Sequence, residues 1–203
     1  HRDLKPQNIM FDTKLDTAVL KIIDFGISAK IDSTNYLKET AGTPMFMAPE
    51  VLNKCYDEKC DVWSCGVILY IMLSGEQPFK GRSREALTQN IKEGQYDFNS
   101  SVWKNISKAA KNFIKKLMTL DPKSRYSAQE ALNDPWLVSN CKTPSSNALS
   151  ENALNNLRTY RAQSQLQEAF YLFICSYFAR KDEKDAFLKV FQELDKDKNG
   201  VLT

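Results

Sequence analysis

Four polar side chains near the beginning of the chain could act together on one charged substrate: Asp3, Lys5, Asn8 and Asp24. A carboxylate such as Asp3 can accept or orient the proton of a hydroxyl group. The ammonium group of Lys5, two residues further on, can hold a phosphate. Amide and carboxylate oxygens, as in Asn8 and Asp24, are ligands that Mg²⁺ prefers. These residue types suit the transfer of a phosphoryl group to a hydroxyl, a reaction that depends mainly on positioning and charge.

Two short strands are predicted to place these side chains. The runs 9–11 and 19–23 have β-like composition and flank a turn-rich segment, so Asn8 and Asp24 lie at strand ends and face one cleft. Gly26 permits a sharp backbone turn after Asp24. Residues 24–50 show no helical or strand periodicity, and a loop of that length in a compact domain is usually functional.

Three motifs carry a resemblance to the protein kinases. They are His-Arg-Asp-Leu-Lys-Pro-Gln-Asn at 1–8, Asp-Phe-Gly at 24–26 and Ala-Pro-Glu at 48–50. One Asp-Phe-Gly alone would be a chance match, but three motifs in this order and at these separations are not. The resemblance implies that Asp3 orients the substrate hydroxyl, that Lys5 contacts the γ-phosphate of ATP, and that Asn8 and Asp24 hold Mg²⁺.

Further positions extend the resemblance. Asp61, in Asp-Val-Trp-Ser-x-Gly-Val, is similar to the aspartate that braces the catalytic-loop backbone in kinases. Arg125 resembles the arginine that pairs with the glutamate of Ala-Pro-Glu, which predicts a buried, structural ion pair with Glu50. His1 is expected to face the core and to accept or donate a hydrogen bond rather than to shuttle protons.

The resemblance also bears on specificity. Lys5 and Thr43 are typical of kinases that act on serine and threonine, because such a threonine hydrogen-bonds near the catalytic aspartate and shapes the pocket beside the target residue. We therefore expect protein substrates with serine or threonine, and ATP as the phosphate donor.

Arg2 beside Asp3 suggests control by negative charge on the activation segment, the loop between the second and third motifs. Thr40 is the leading candidate for phosphorylation, followed by Ser33 and Thr34. Glu39 is the alternative, since it would supply the negative charge permanently.

Beyond residue 50 the pattern is helical. Helices are predicted over 60–74, from the N-cap Ser83 to Gly94, over 107–120, and after Ser127 with a capping box closed by Glu130. A Ser- and Asn-rich linker is predicted at 139–152, and apolar residues spaced by three and four follow it. The expected fold is mainly α: a kinase C-terminal lobe with short β-hairpins at the cleft, then junction helices and the beginning of an EF-hand.

The last nine residues, Asp-Lys-Asp-Lys-Asn-Gly-Val-Leu-Thr at 195–203, match the first nine positions of an EF-hand calcium loop. The predicted Ca²⁺ ligands are Asp195, Asp197, Asn199, the carbonyl of Val201 and, through water, Thr203. Position twelve, which normally supplies a bidentate glutamate, falls after residue 203, so these residues alone are not expected to bind calcium with native affinity. The alternative is an acidic, glycine-capped turn at a helix end.

Kinase lobe, junction and EF-hand in this order resemble the calcium-dependent protein kinases of plants and protists. The predicted domains are 1–138 for the lobe, 139–181 for the linker and autoinhibitory junction, and 182–203 for the EF-hand. The resemblance implies intramolecular EF-hand and junction contacts, with Arg158 and Arg161 mimicking a basic substrate; a plain connecting helix is the alternative. Departures from the family include Gln7, where glutamate is usual, and Pro-Met-Phe-Met at 44–47.

Composition sets further bounds. The net charge of +3 is too small to argue for nucleic acid as a partner. No apolar run is long enough for a transmembrane segment. The five cysteines form no Cys-x-x-Cys pair, which favours reduced thiols and a cytoplasmic location. A monomer is expected, and attachment to a membrane through a segment upstream of His1 is the alternative to a free cytoplasmic protein. The chain as given is expected to be inactive, because the glycine-rich loop and the ATP-anchoring lysine of kinases lie upstream of these motifs.

Three other functions remain open on the sequence. A pseudokinase scaffold would keep the shape without the transfer, although Asp3, Asn8 and Asp24 are all present. A calcium-buffering or adaptor protein would keep the kinase-like lobe without any catalytic function. A calmodulin-dependent type of kinase would have no true EF-hand.

Overall fold

The computed structural model describes residues 1–13, 18–31, 36–141 and 152–160. Two strands, β1 (Ile9–Phe11) and β2 (Leu20–Ile22), form an antiparallel hairpin with Ile9 opposite Ile22. The remaining regular structure is helical. The helices are α1 Pro49–Leu52, α2 Lys59–Ser74, α3 Arg84–Glu93, α4 Lys108–Leu117, α5 Ala128–Leu132, α6 Pro135–Cys141 and α7 at 152–160, with 3₁₀ turns at Pro6–Asn8, Pro44–Phe46 and Ser101–Asn105. The mainly α lobe with a small hairpin agrees with the expected fold class.

The central element is α2, which is apolar on nearly all sides because other elements surround it. Gly66 lets α4 approach closely, since a Cβ atom there would lie 2.5 Å from the Met118 Cγ. Trp63 is fully buried and stacks on Phe79 with ring centroids 5.7 Å apart. The helix ends at Gly75, whose φ of 72° is in the left-handed region that favours glycine. No helix among the described residues is long and apolar enough to cross a membrane.

The local helix signals of the sequence are confirmed. The hydroxyl of Ser83 accepts a hydrogen bond from the Ala86 backbone nitrogen, and Gly94 ends α3 with a φ of 62°. Ser127 and Glu130 form the complete capping box at the start of α5. These features depend only on residues within one turn, so the sequence is enough to predict them.

One helix boundary differs from the prediction, and one helix was not predicted. α4 ends at Leu117 rather than at residue 120, because the carbonyls of Thr119 and Leu120 accept hydrogen bonds from the Arg125 side chain. The unpredicted helix, α6, begins at Pro135 and runs to Cys141, into the predicted linker. Its Trp136 packs against Phe113 on α4, with ring centroids 5.3 Å apart.

Several predicted residues lie outside the described part of the chain. They are Ser33, Thr34, Arg161 and the calcium-loop residues Asp195, Asp197, Asn199, Val201 and Thr203.

Candidate active site

The hairpin β1–β2 brings the first two motifs to one end of the small sheet. Asn8 immediately precedes β1, and its carbonyl accepts a hydrogen bond from the Ile23 backbone nitrogen at 3.0 Å. This bond extends the ladder by one pair beyond the Ile9–Ile22 register. Asp24 follows directly, so Asn8 and Asp24 flank the same end of the hairpin, as the sequence predicts.

Asp3 is the most heavily bonded carboxylate of the site and is 8% exposed. Its Oδ1 accepts hydrogen bonds from the Thr43 backbone nitrogen at 2.8 Å and from the Thr43 hydroxyl at 2.7 Å. Its Oδ2 lies 2.7 Å from the Lys5 Nζ, which also donates to the Thr43 hydroxyl at 2.9 Å. The Asn8 amide nitrogen donates to the Asp3 carbonyl at 2.9 Å. The structure therefore brings Asp3, Lys5, Asn8 and Thr43 into one network.

The environment of Asp3 keeps its carboxylate ionised. Burial alone raises the pKa of Asp3, but the hydrogen bond from Lys5, the hydrogen bonds from Thr43 and the charge of Lys5 together outweigh it, and the pKa lies below its ordinary value. The folded protein thus holds Asp3 as a charged, oriented hydrogen-bond acceptor at neutral pH. Such a group can align a hydroxyl and take its proton as the bond to phosphorus forms.

Gly42 makes the contact between Asp3 and Thr43 possible. Its φ is 110°, and a Cβ atom at this position would lie 2.4 Å from the Arg2 carbonyl oxygen. Any other residue would push the Gly42–Thr43 segment away from residues 1–8, the predicted catalytic loop. The loop itself has a left-handed residue at Arg2, with a φ of 75°.

Asp24 differs from Asp3 because it is exposed. Its own φ of 64° is in the left-handed region. The turn that the sequence predicts after Asp24 is present, because the Ser28 backbone nitrogen donates to the Phe25 carbonyl at 3.0 Å. Gly26 lies within this turn and leaves room for the aspartate, since a Cβ atom there would meet the Asp24 Oδ1 at 3.2 Å. Aspartate tolerates the left-handed region better than most residues do.

The donor set fits Mg²⁺. The amide nitrogen of Asn8 is committed to Asp3, which leaves its oxygen for a metal, and within the described ranges no cation pairs with the carboxylate of Asp24. Among the residues that the structure describes, no group of three or more His, Cys, Asp or Glu side chains could hold a metal ion. Two protein oxygen ligands suit Mg²⁺, which keeps several waters and substrate phosphate oxygens in its shell.

Asp61 and His1 support the catalytic loop. Asp61, on α2, accepts hydrogen bonds from the backbone nitrogens of His1 at 2.7 Å and Arg2 at 2.9 Å. The His1 Nδ1 accepts from the Asp3 backbone nitrogen at 3.2 Å, so its Nε2 carries the proton and donates to the Ile23 carbonyl at 3.0 Å. The imidazole therefore joins the catalytic loop to the end of β2.

Arg2 contacts the activation segment through Glu39. The Arg2 Nη1 lies 3.5 Å from the Glu39 Oε2, and the glutamate side chain is 82% exposed. The Tyr56 hydroxyl accepts from the same Nη1 at 3.1 Å and donates to the Glu39 carbonyl at 2.7 Å. Chiefly because of the Tyr56 hydrogen bond, the pKa of Arg2 is raised above its ordinary value. Thr40, the first phosphorylation candidate, has an exposed side chain.

Glu50 and Arg125 form a bidentate pair inside the lobe. Arg125 Nη1 lies 2.5 Å from Glu50 Oε1 and Nη2 lies 2.9 Å from Oε2, with side-chain exposures of 0% and 8%. The guanidinium group also donates to the carbonyls of Lys59, Thr119 and Leu120 and lies over the Trp63 ring, 5.0 Å from its centroid. Its many partners show that the pair holds the lobe together rather than takes part in chemistry.

Tyr56 and Gly42 are functional positions whose roles sequence reasoning missed. Tyr56 is 1% exposed and forms an isolated antiparallel bridge with Leu37 that attaches the activation segment to the lobe. No local signal in the sequence pairs residues this far apart. Gly42 could have been found, because a glycine directly before a predicted site residue, Thr43, indicates a close backbone approach. Arg158, on α7, is exposed.

Comparisons with known proteins agree with this geometry. Residues 1–137 match the protein kinase domain family. Over all 203 residues the chain is 39% identical to calcium-dependent protein kinase 11 of Arabidopsis thaliana, of which it covers 41%. The whole chain is also 38% identical to calcium-dependent protein kinase 4 of Plasmodium falciparum, of which it covers 39%. It thus spans about two fifths of the length of these curated relatives.

Proposed function

The chain belongs to the protein kinase family, and from this we propose that it carries the catalytic lobe of a calcium-regulated serine/threonine protein kinase. The reaction is transfer of the γ-phosphate of Mg-ATP to serine and threonine hydroxyls of proteins. The observation that supports the proposal best is the network in which Thr43 and Lys5 hold the ionised Asp3 carboxylate. Calcium control is supported by the loop pattern at 195–203 and by the names of the similar proteins.

Each residue of the network has a distinct part in this reaction. Asp3 aligns the substrate hydroxyl and accepts its proton, while Lys5 supplies positive charge to the phosphoryl group. Thr43 fixes the direction of the Asp3 carboxylate through two hydrogen bonds. Asn8 and Asp24 would hold Mg²⁺, which neutralises phosphate charge when it is bound.

The proposed function is tested by assaying the full-length protein with a protein substrate and radiolabelled ATP, in calcium and in a calcium chelator. Transfer is expected in calcium and little of it in chelator. Asp195→Ala removes the first predicted calcium ligand and is expected to raise the calcium concentration for half-maximal activity, whereas Lys196→Ala, at a non-ligand position, is the matched control. Equal rates with and without calcium would remove the regulatory part of the proposal and leave the transfer intact.

A second prediction concerns the activation segment. The sequence analysis gave phosphorylated Thr40 as the first candidate for the negative charge on the activation segment. Because Glu39 already contacts Arg2, we propose that Glu39 supplies this charge. Glu39→Gln is expected to lower kcat/KM by about two- to fivefold, the effect of an exposed ion pair worth up to ~1 kcal/mol. Thr40→Ala is the control and is expected to retain the wild-type rate.

Ionic strength provides an independent check on Glu39. Added salt screens an exposed pair, so the wild-type rate is expected to fall toward that of Glu39→Gln as salt rises, while the variant changes less. A large loss of activity in Thr40→Ala, together with phosphate detected on Thr40, would return the role to the threonine.

A further inference from the structure

The surface around α4 carries positive charge that no acidic residue of the same segment offsets. Residues 98–120 include five lysines but no arginine, aspartate or glutamate, which gives this segment a charge of +5, against +3 for the whole chain. Lys116 pairs with the Asp134 carboxylate at 2.8 Å. Within the described ranges, none of the ion pairs involves the other four lysines, which are Lys104, Lys108, Lys111 and Lys115.

Three of these residues, Lys108, Lys111 and Lys115, form a lysine stripe along α4. They are spaced by three and four residues, so they share one helix face over a length of about 10 Å. Lys108 and Lys115 are exposed and Lys111 is half-buried. The apolar face of α4, which includes Phe113 and Leu117, is buried in the lobe. The helix therefore offers a partner charge rather than apolar area.

The stability of α4 does not account for the lysine stripe. Lys108 is the first helical residue after the N-cap Ser107, where the positive end of the helix dipole disfavours a cation. Like charges three and four residues apart also repel each other along a helix. Only Lys115, in the last turn, has a position that the dipole favours. The first two lysines of the stripe therefore oppose helix formation, which favours a role in binding.

α4 covers the side of α2 that faces away from the catalytic network. It packs on α2 beside Gly66. At 100° per residue, Gly66 lies about 160° around α2 from Ser64 and about 140° from Asp61. Those two residues hold the Pro44–Phe46 turn and the backbone next to Asp3. A large, flat surface can therefore meet the lysine stripe without covering Asp3.

The composition of the stripe favours a lipid surface over a protein partner. Protein interfaces are enriched in arginine and aromatic residues and depleted in lysine. Every cation of residues 98–120 is a lysine, which acts as a hydrated point charge without the bidentate geometry of arginine. An anionic bilayer requires only such charge, and each lysine held near its surface strengthens binding about fivefold.

We propose that the lysine stripe, together with Lys104 in the preceding 3₁₀ turn, attaches the protein to membranes that contain anionic phospholipids. The attachment is electrostatic and peripheral, because the apolar face of α4 remains buried in the lobe. It goes beyond the proposed phosphoryl transfer and does not depend on it, since the same surface binds the bilayer whether or not phosphate is transferred.

The test is co-sedimentation of the full-length protein with vesicles of phosphatidylcholine alone or mixed with phosphatidylserine, in chelator so that calcium does not bridge protein and lipid. Tighter binding to the phosphatidylserine vesicles is expected, and it should weaken as salt rises. Lys111→Gln combined with Lys115→Gln is expected to weaken this binding about 25-fold, a factor of about five for each lysine. The control, Lys54→Gln combined with Lys80→Gln, removes the same charge at exposed positions outside the segment and is expected to stay within about threefold of wild type.

Lys108→Glu separates binding from folding. A glutamate at the first helical position interacts favourably with the helix dipole, so the Tm from thermal unfolding is expected to stay the same or rise. Binding to phosphatidylserine vesicles is nevertheless expected to fall by about tenfold or more, because the charge is reversed. Phosphorylation of a soluble peptide by this variant in calcium is expected to keep the wild-type rate.

A stripe variant that binds phosphatidylserine vesicles as tightly as wild type, or a control variant that loses as much binding as the stripe variant, would overturn the membrane site. Binding of labelled polyglutamate or of single-stranded RNA, without binding to phosphatidylserine vesicles, would also overturn it, in favour of an acidic protein or a nucleic acid. Absence of transfer to every peptide, together with vesicle binding that the stripe variant loses, would overturn the proposed reaction and support the membrane site.

Discussion

Replacing Asp3 with asparagine is expected to lower kcat for peptide phosphorylation by about 10²-fold or more. The amide has nearly the same shape, and its oxygen can still accept the two hydrogen bonds from Thr43. It has no negative charge to pair with Lys5 at 2.7 Å, and it cannot take the proton of a substrate hydroxyl. The variant should therefore fold normally and bind ATP while it fails in transfer.

The measurement is steady-state phosphorylation of one peptide by the full-length protein, with thermal unfolding of the same samples. Asp97→Asn is the matched control, because Asp97 is exposed and its carboxylate only caps the Asn99 backbone nitrogen at 2.7 Å. A kcat for Asp3→Asn within threefold of wild type would show that the catalytic assignment is wrong.

The largest expected effect on stability belongs to the buried pair of Glu50 and Arg125. Arg125→Met leaves the Glu50 carboxylate buried without its partner and removes the donors to three carbonyl groups. The free energy of unfolding is expected to fall by about 3–5 kcal/mol. Equilibrium unfolding in guanidinium chloride measures this change, and Arg82→Met, at an exposed arginine, is the control.

A double variant separates the charge from the hydrogen bonds. Glu50→Met combined with Arg125→Met removes the unpaired carboxylate and should recover part of the stability that Arg125→Met loses. The recovery should be incomplete, because the carbonyls of Lys59, Thr119 and Leu120 still lack their donor. A single variant that loses less than about 1 kcal/mol would contradict the structural role that we assign to the pair.

The sequence predicted those features that depend on neighbouring residues. The caps at Ser83 and Ser127 and the helix end at Gly94 follow from side chains within one turn of the helix terminus. The ends of the hairpin followed from short β-like runs beside Asn8 and Asp24. In each case the local sequence favours one backbone conformation, and the tertiary contacts do not change it.

Features that depend on distant residues could not be predicted in this way. To predict that α4 ends at Leu117, one would need to know that the Arg125 side chain donates hydrogen bonds to the carbonyls of Thr119 and Leu120. The choice between Glu39 and Thr40 as the partner of Arg2 depends on how Tyr56 holds the activation segment. The sequence analysis selected Arg158 for its positive charge, as a mimic of a basic substrate. The aromatic contact of α7 with the lobe is made instead by Tyr160, whose ring packs against Phe46 in the Pro44–Phe46 turn.

Helix α2 contacts the site at two positions nearly one helical turn apart. The Asp61 carboxylate accepts hydrogen bonds from the backbone nitrogens of His1 and Arg2, and the Ser64 hydroxyl donates to the Phe46 carbonyl. The first contact holds the backbone beside Asp3, and the second holds the Pro44–Phe46 turn that follows Thr43. Residues three apart share a helix face, so a rotation or sliding of α2 displaces both anchors in the same direction. The distance between the backbone at Asp3 and the Pro44–Phe46 turn is therefore set by one helix, because both segments are anchored to α2.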